Sequence, residues 1–316
     1  MEKTHHQIII GDSSSLEEIG DKKVHLVVTS PPYYNSPHHM NNLFKGYKSE
    51  FIPLVKKVAG ELYRVLDDGR VVCIVCDDML VRERKVGPSE KMPVVADITK
   101  IFTDSGFWYR DEIMWVKPRG YGTRQRRAGA FIQSSLPMNL YFENITESIL
   151  IFQKKFFHRE QVNKDMMEKS SLAYLVLNQN SEFWKDHWYQ NIWNITNVMP
   201  NKKEAAEKQI PTFPGEIPYR LIMLYSYMGE TVLDPFLGTG TTMQVAIDLG
   251  RNSIGYEVRK DLLPLILRKI KTPFLKKHRQ ASQQALTAES SYGRPEYEIR
   301  EPIIREEAEQ LCLKTG

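Results

Sequence analysis

Val232-Leu233-Asp234-Pro235-Phe236-Leu237-Gly238-Thr239-Gly240-Thr241-Thr242 decides the fold: an apolar strand runs into a glycine-rich turn that opens a helix. Asp234 ends the strand, and Gly238 and Gly240 let the backbone pass close to a ligand in an α/β crevice. Thr241 and Thr242 then start a helix whose first N–H groups suit an anionic group. The pattern is shared by many nucleotide sites. A P-loop is excluded because no Gly-Lys-Ser/Thr follows the turn, and a dinucleotide fingerprint is excluded because Met243 stands where its third glycine belongs.

Outward from this turn, strand-like and helix-like segments alternate, which predicts a mostly parallel, doubly wound α/β sheet. Short apolar runs at 24–29, 70–76, 111–116, 148–152, 231–233 and 252–256 read as strands. Helical spacing covers 51–66, 94–105, 217–228, 242–249 and 261–270, with Gly106 and Gly250 as stops. The region 117–208 interrupts this rhythm with a basic stretch from Lys117 to Arg127 and an aromatic cluster at Phe183, Trp184, Trp188, Tyr189 and Trp193. Such interleaving suits phosphate contacts and base stacking. A solvated loop beside a small satellite core reads the same residues equally well. Beyond 272 the chain turns polar and is expected to be peripheral.

At 316 residues the chain is long enough for one large α/β domain with insertions or two modest domains. Charged residues at 26% and hydrophobic ones at 41% place it among soluble globular proteins. No apolar run approaches the about eighteen residues that span a bilayer, and the first residues lack a signal-peptide core. Three cysteines make no disulfide framework, so a reducing cytoplasm is expected. Cys73 and Cys76 lie at i and i+3 of a strand and should face opposite sides, which argues against a metal pair. His38 and His39, in a polar stretch, are read as loop residues rather than ligands, and no metal is expected. With a net charge of only +4, any nucleic-acid partner must be met by clustered charge.

A second segment, Leu26-Val27-Val28-Thr29-Ser30-Pro31-Pro32-Tyr33, ends a buried strand in a rigid corner. The prolines lack N–H groups and have fixed φ, so they hold backbone carbonyls outward. An ordinary Pro-Pro turn is the plain alternative.

Taken together and in this order, the two segments resemble the beta-class DNA amino-methyltransferases, which use S-adenosylmethionine (AdoMet, leaving S-adenosylhomocysteine) and carry the catalytic corner before the glycine turn. The resemblance spans about residues 10 to 270 and implies a circularly permuted, Rossmann-like fold. Its expected division is 1–118 as the catalytic half, 119–208 as an insertion holding the 148–152 strand and a target-recognition region, 209–272 as the AdoMet-binding half, and 273–316 as a tail. Arg64–Arg70, Trp115–Pro118 and Glu147–Phe152 match further family segments and confirm register.

The resemblance also assigns roles. Ser30, Pro31, Pro32 and Tyr33 are the expected catalytic group: Ser30 Oγ and the Pro31 carbonyl accept from an exocyclic amine, and Tyr33 stacks on a base flipped from the duplex. Asp12, Phe213, Pro214, Asp234, Pro235, Phe236, Gly238, Gly240, Thr241, Thr242 and Glu257 are expected around the cofactor, with Glu257 on the ribose hydroxyls. Gln209 and Pro211 depart from the His and Ala usual in the family segment that ends in Phe213-Pro214. Lys117, Arg119, Arg124, Arg126 and Arg127 are expected to meet double-stranded DNA. Serine after threonine looks like the cytosine-N4 branch; adenine-N6 is the alternative within the class, and RNA or protein glutamine modification and a non-catalytic subunit of a restriction complex stay open. The implied setting is a prokaryotic or phage restriction–modification system, with a companion endonuclease as a candidate partner.

Overall fold

A computed structural model of the chain describes residues 3–32, 44, 46–82, 89–117, 144–155, 169–196, 212–275 and 296–300. Nine strands within them form one sheet: β1 (His5–Ile10), β2 (Val24–Thr29), β3 (Leu66–Cys76), β6 (Trp108–Val116), β7 (Thr146–Gln153), β8 (Ile192–Asn194), β9 (Thr231–Asp234), β10 (Asn252–Glu257) and β11 (Glu296–Arg300). Their order across it is β11-β1-β10-β9-β2-β3-β7-β6-β8. A separate antiparallel hairpin pairs β4 (Met79–Arg82) with β5 (Ser89–Met92). Only β7 runs against its neighbours β3 and β6 in the large sheet; the other described pairings are parallel.

Helices cover both faces because successive side chains of a buried strand point opposite ways. Val27 of β2 joins one cluster with α1 (Ile52–Val65) and α2 (Val94–Asp104). Leu26 and Val28 join the other with α5 (Glu216–Tyr225) and α6 (Thr241–Asp248). The α1 helix forms because Val55, Val58, Ala59, Leu62 and Val65 make one apolar stripe at i, i+3, i+4 spacing behind Pro53 in the first turn. A third cluster packs α7 (Leu263–Ile270) through Ile266 and Ile270 onto Leu237 and Met243. Cys73 and Cys76 fall in opposite clusters, as the strand period requires.

Several elements depart from the sequence expectation. Helix α5 stops at Tyr225, three residues early, where the Ser226 hydroxyl donates back to the Ile222 carbonyl and Ser226 turns extended. β1 was not anticipated, and β11, inside the stretch expected to be peripheral, adds an edge strand beside it. Strand pairing there depends on a partner far along the chain, which local periodicity does not register.

Residues 119–208, expected to form an insertion, contribute β7, the short helices α3 (Ser171–Leu177) and α4 (Glu182–Lys185), and β8. Two of its aromatics, Trp188 and Trp193, are 2% and 1% exposed in the core beneath the Arg220 guanidinium, at 5.0 and 5.1 Å. These two join the sheet's own core, in one cluster with Leu26, Ile149 and Ile217, rather than a separate satellite core, while Trp184 and Tyr189 remain exposed.

One close approach shapes the glycine turn from below. A Cβ at Gly255 of β10 would lie 2.6 and 2.7 Å from the Leu237 methyl carbons. Gly255→Ala should therefore push Leu237 out of its seat and lower stability by about 1–3 kcal/mol. Urea unfolding at neutral pH checks this; an unchanged midpoint would show that Leu237 has room to move.

Candidate active site

The two diagnostic segments meet side by side although Thr29 and Asp234 are 205 residues apart. β2 pairs with β9 through Leu26–Val232 and Val27–Leu233, so Thr29 and Asp234 emerge together at the carboxyl ends of the two central strands. From here the chain leaves β2 toward β3 on one side and β9 toward β10 on the other. A crevice opens where connections diverge in this way.

At its floor the Thr29 hydroxyl donates to Asp234 Oδ1 at 2.6 Å, and the Phe236 N–H donates to the same oxygen at 3.1 Å. Thr242 also hydrogen-bonds Asp234, and its Oγ1 lies 3.2 Å from the Val28 carbonyl. Burial pushes the Asp234 carboxyl up to about 6 against the pull of those three donors.

The cleft above is lined by Ser30, Phe213, Asp234, Phe236, Gly238 and Thr241, all expected from sequence. Thr212, Leu237 and Thr239 complete it. These three carry no signal of their own: Thr239 is a side chain between two glycines, and Leu237 reads as a core residue. Gly240 holds φ +84° as the N-cap of α6, a left-handed conformation that favours glycine, with Ile266 packed beneath it.

Glu257 ends β10 just below the turn. Its Oε2 accepts from the Gly238 N–H at 2.8 Å and its Oε1 from the Arg259 N–H at 3.0 Å. Burial raises its carboxyl, and the two N–H donors oppose that rise. A carboxylate accepts about four hydrogen bonds, so acceptor positions remain.

The other expected residues are placed less directly. Pro31 is buried and Pro32 half-buried beside Ser30. Pro235 is buried in the turn, and the Pro214 carbonyl accepts from the Ile217 N–H at the start of α5. Asp12 follows β1, where the Gly11 N–H meets the Glu257 carbonyl, but its carboxylate is exposed and closes a local turn on Ser14. Lys117, at the end of β6, is ion-paired with Glu147 and lies over the Trp115 ring at 5.0 Å. Its ammonium is thus committed to the protein, three strands away from β2. Tyr33, His38, His39, Arg119, Arg124, Arg126, Arg127, Gln209 and Pro211 lie outside the described residues. No cluster of metal-ligating side chains occurs among the described residues.

The family model for N6/N4 DNA methylases matches residues 24–268. This chain belongs to that family. The type II methyltransferase M.MjaI of Methanocaldococcus jannaschii is 36% identical over 295 residues, covering 84% of this chain and 91% of the relative. M.MthZI of Methanothermobacter thermautotrophicus is 32% identical, covering 84% and 76%. Among solved structures, a candidate DNA modification methylase of Thermus thermophilus in complex with S-adenosyl-L-methionine superposes with a TM-score of 0.62 at 27% identity, over 84% of this chain and 94% of that one. The cytosine-N4-specific PvuII DNA methyltransferase shares the fold, with a TM-score of 0.57 at 16% identity, over 85% and 96% of the chains.

The protein is accordingly a DNA methyltransferase, and its methyl donor is AdoMet. The donor set of the cleft fits that molecule. The buried Asp234 carboxylate in the cleft, and that of Glu257 bound to the Gly238 N–H beside it, suit ammonium and hydroxyl donors, and the first turn of α6 offers N–H groups to a carboxylate.

Burial of Asp234 couples the stability of the fold to pH. The folded state binds this proton more tightly than the unfolded chain, whose carboxyl titrates near 3.8. Its contribution to stability is therefore fully present below that value and is lost as pH rises through about 6. Relative to Asp234→Asn, the wild type should lose on the order of 2 kcal/mol between about pH 4.5 and 7.5. Paired urea titrations at both pH values measure the difference; a gain with rising pH would contradict it.

Proposed function

We propose that this methyltransferase modifies the exocyclic N4 amine of cytosine at a specific DNA site, as the modification arm of a restriction–modification system. The observation that carries the reading is that Ser30 lines the same cleft as Asp234, Phe236 and Gly238. The amine's acceptor and the cofactor's wall thus share one pocket. The Thr29-Ser30-Pro31-Pro32-Tyr33 corner resembles the cytosine branch, and the type II methyltransferase relatives support the restriction–modification setting.

An exocyclic amine is a poor nucleophile because its lone pair is delocalised into the ring. Ser30 Oγ and the Pro31 carbonyl accept its two hydrogens, which makes the nitrogen more tetrahedral, and Tyr33 holds the flipped base by stacking. The prolines keep those acceptors from relaxing away. AdoMet, when bound, supplies an electrophilic methyl on a sulfonium. Asp234, Phe236, Gly238, Gly240, Thr241, Thr242 and Glu257 form its seat, with Glu257 on the ribose hydroxyls. Phe213, Pro214, Pro235 and Asp12 border that seat. Arg119, Arg124, Arg126 and Arg127 neutralise DNA phosphates, and Lys117 anchors the start of their segment through Glu147.

Purified protein incubated with labelled AdoMet and duplex DNA should yield N4-methylcytosine on nucleoside digestion and mass spectrometry. N6-methyladenine would overturn the cytosine assignment. Ser30→Ala should keep AdoMet affinity within about twofold and lose roughly a hundredfold or more in kcat, the range of a positioned hydrogen-bonding group. Equal loss of affinity and turnover would remove Ser30 from the chemical role.

A further inference from the structure

Lys269 stands in the last turn of the amphipathic helix α7. Ile266 and Ile270 of the same helix pack against the glycine turn, the nearest at 3.2 Å from the Cβ position of Gly240. That packing carries the Lys269 ammonium to the turn's two threonines. It donates to Thr239 Oγ1 at 2.7 Å and to Thr241 Oγ1 at 2.6 Å. Both threonines line the cleft, both are more than nine-tenths buried, and they flank Gly240.

We propose that Lys269 is a positioning residue for the cofactor's amino-acid carboxylate, acting through the Thr239 and Thr241 hydroxyls. The inference rests on the cleft being the AdoMet site.

A hydroxyl that accepts from an ammonium keeps its own hydrogen for another partner, and that O–H becomes a stronger donor. Two such hydroxyls on the wall of one cleft form a polarised pair suited to a carboxylate. The cation adds Coulomb attraction in a site partly shielded from water. Simple stapling of the turn would be served by any donor of this length. The carboxylate role additionally requires that the affinity at stake belong to one end of the ligand.

The test compares two ligands by isothermal titration calorimetry: S-adenosylhomocysteine and its decarboxylated analogue, which keeps the ammonium and lacks the carboxylate. Lys269→Met should weaken S-adenosylhomocysteine about tenfold and the analogue less than about twofold, and Lys269→Arg should restore most of the loss. Thr241→Val, which removes one of the two hydroxyls and leaves the lysine, should show the same selective loss and serves if Lys269→Met folds poorly. Equal weakening of both ligands would assign Lys269 to stapling alone and overturn the proposal, as would no weakening of either. Failure of the wild-type protein to bind either ligand would overturn the cofactor reading of the cleft itself, a result distinct from both.

Discussion

The buried hydrogen bond from Thr29 to Asp234 is the constraint on which the rest of the site depends. It joins the last residue of β2 to the last residue of β9, and each of those residues leads straight into a segment that lines the cleft. An ionisable carboxyl that is only 3% exposed is costly to bury without partners. Thr29, Thr242 and the Phe236 N–H supply them, and each donor comes from a different local structure: a strand end, a helix start and a turn. Satisfying one carboxyl therefore fixes the relative position of three pieces of backbone.

Around that point the architecture repeats one device: a polar group of the turn is met by a residue remote in sequence. Glu257 holds the Gly238 N–H from β10, and Lys269 holds Thr239 and Thr241 from α7. Gly255 leaves room for Leu237 beneath. The turn is thus held from below and from one side, which leaves its upper surface to the cleft. A ligand then meets groups already in position, and less of the binding free energy goes into ordering them.

Much of this was legible in the residues. The strands at β2, β9 and β10 and the helices α1, α2 and α6 follow from apolar period and from Gly and Pro punctuation, and their observed bounds differ by no more than one residue at either end. Ser30, Asp234, Phe236, Gly238 and Thr241, which line one cleft, were legible as a strand-end corner and a tight turn because backbone geometry demands particular residue types there. What was not legible was long-range. β11 looked like polar tail because an edge strand needs little apolar character when one neighbour completes its ladder. Trp188 and Trp193 read equally well as a stacking surface or as core because composition cannot distinguish a buried aromatic from one facing solvent. Nothing in the sequence around Lys117 shows that β7 brings Glu147 beside it.

The sequence by itself determined the class of chemistry and the order of its parts. A Ser-Pro-Pro corner and a Gly-x-Gly turn each encode a local backbone shape that few other residues permit. Only the tertiary structure decided that these shapes make one pocket, which charges face it, and which are spent on packing. Those outcomes depend on pairing between segments far apart along the chain. Strand pairing is set by the burial of both sheet faces at once, and no local stretch of chain carries that information.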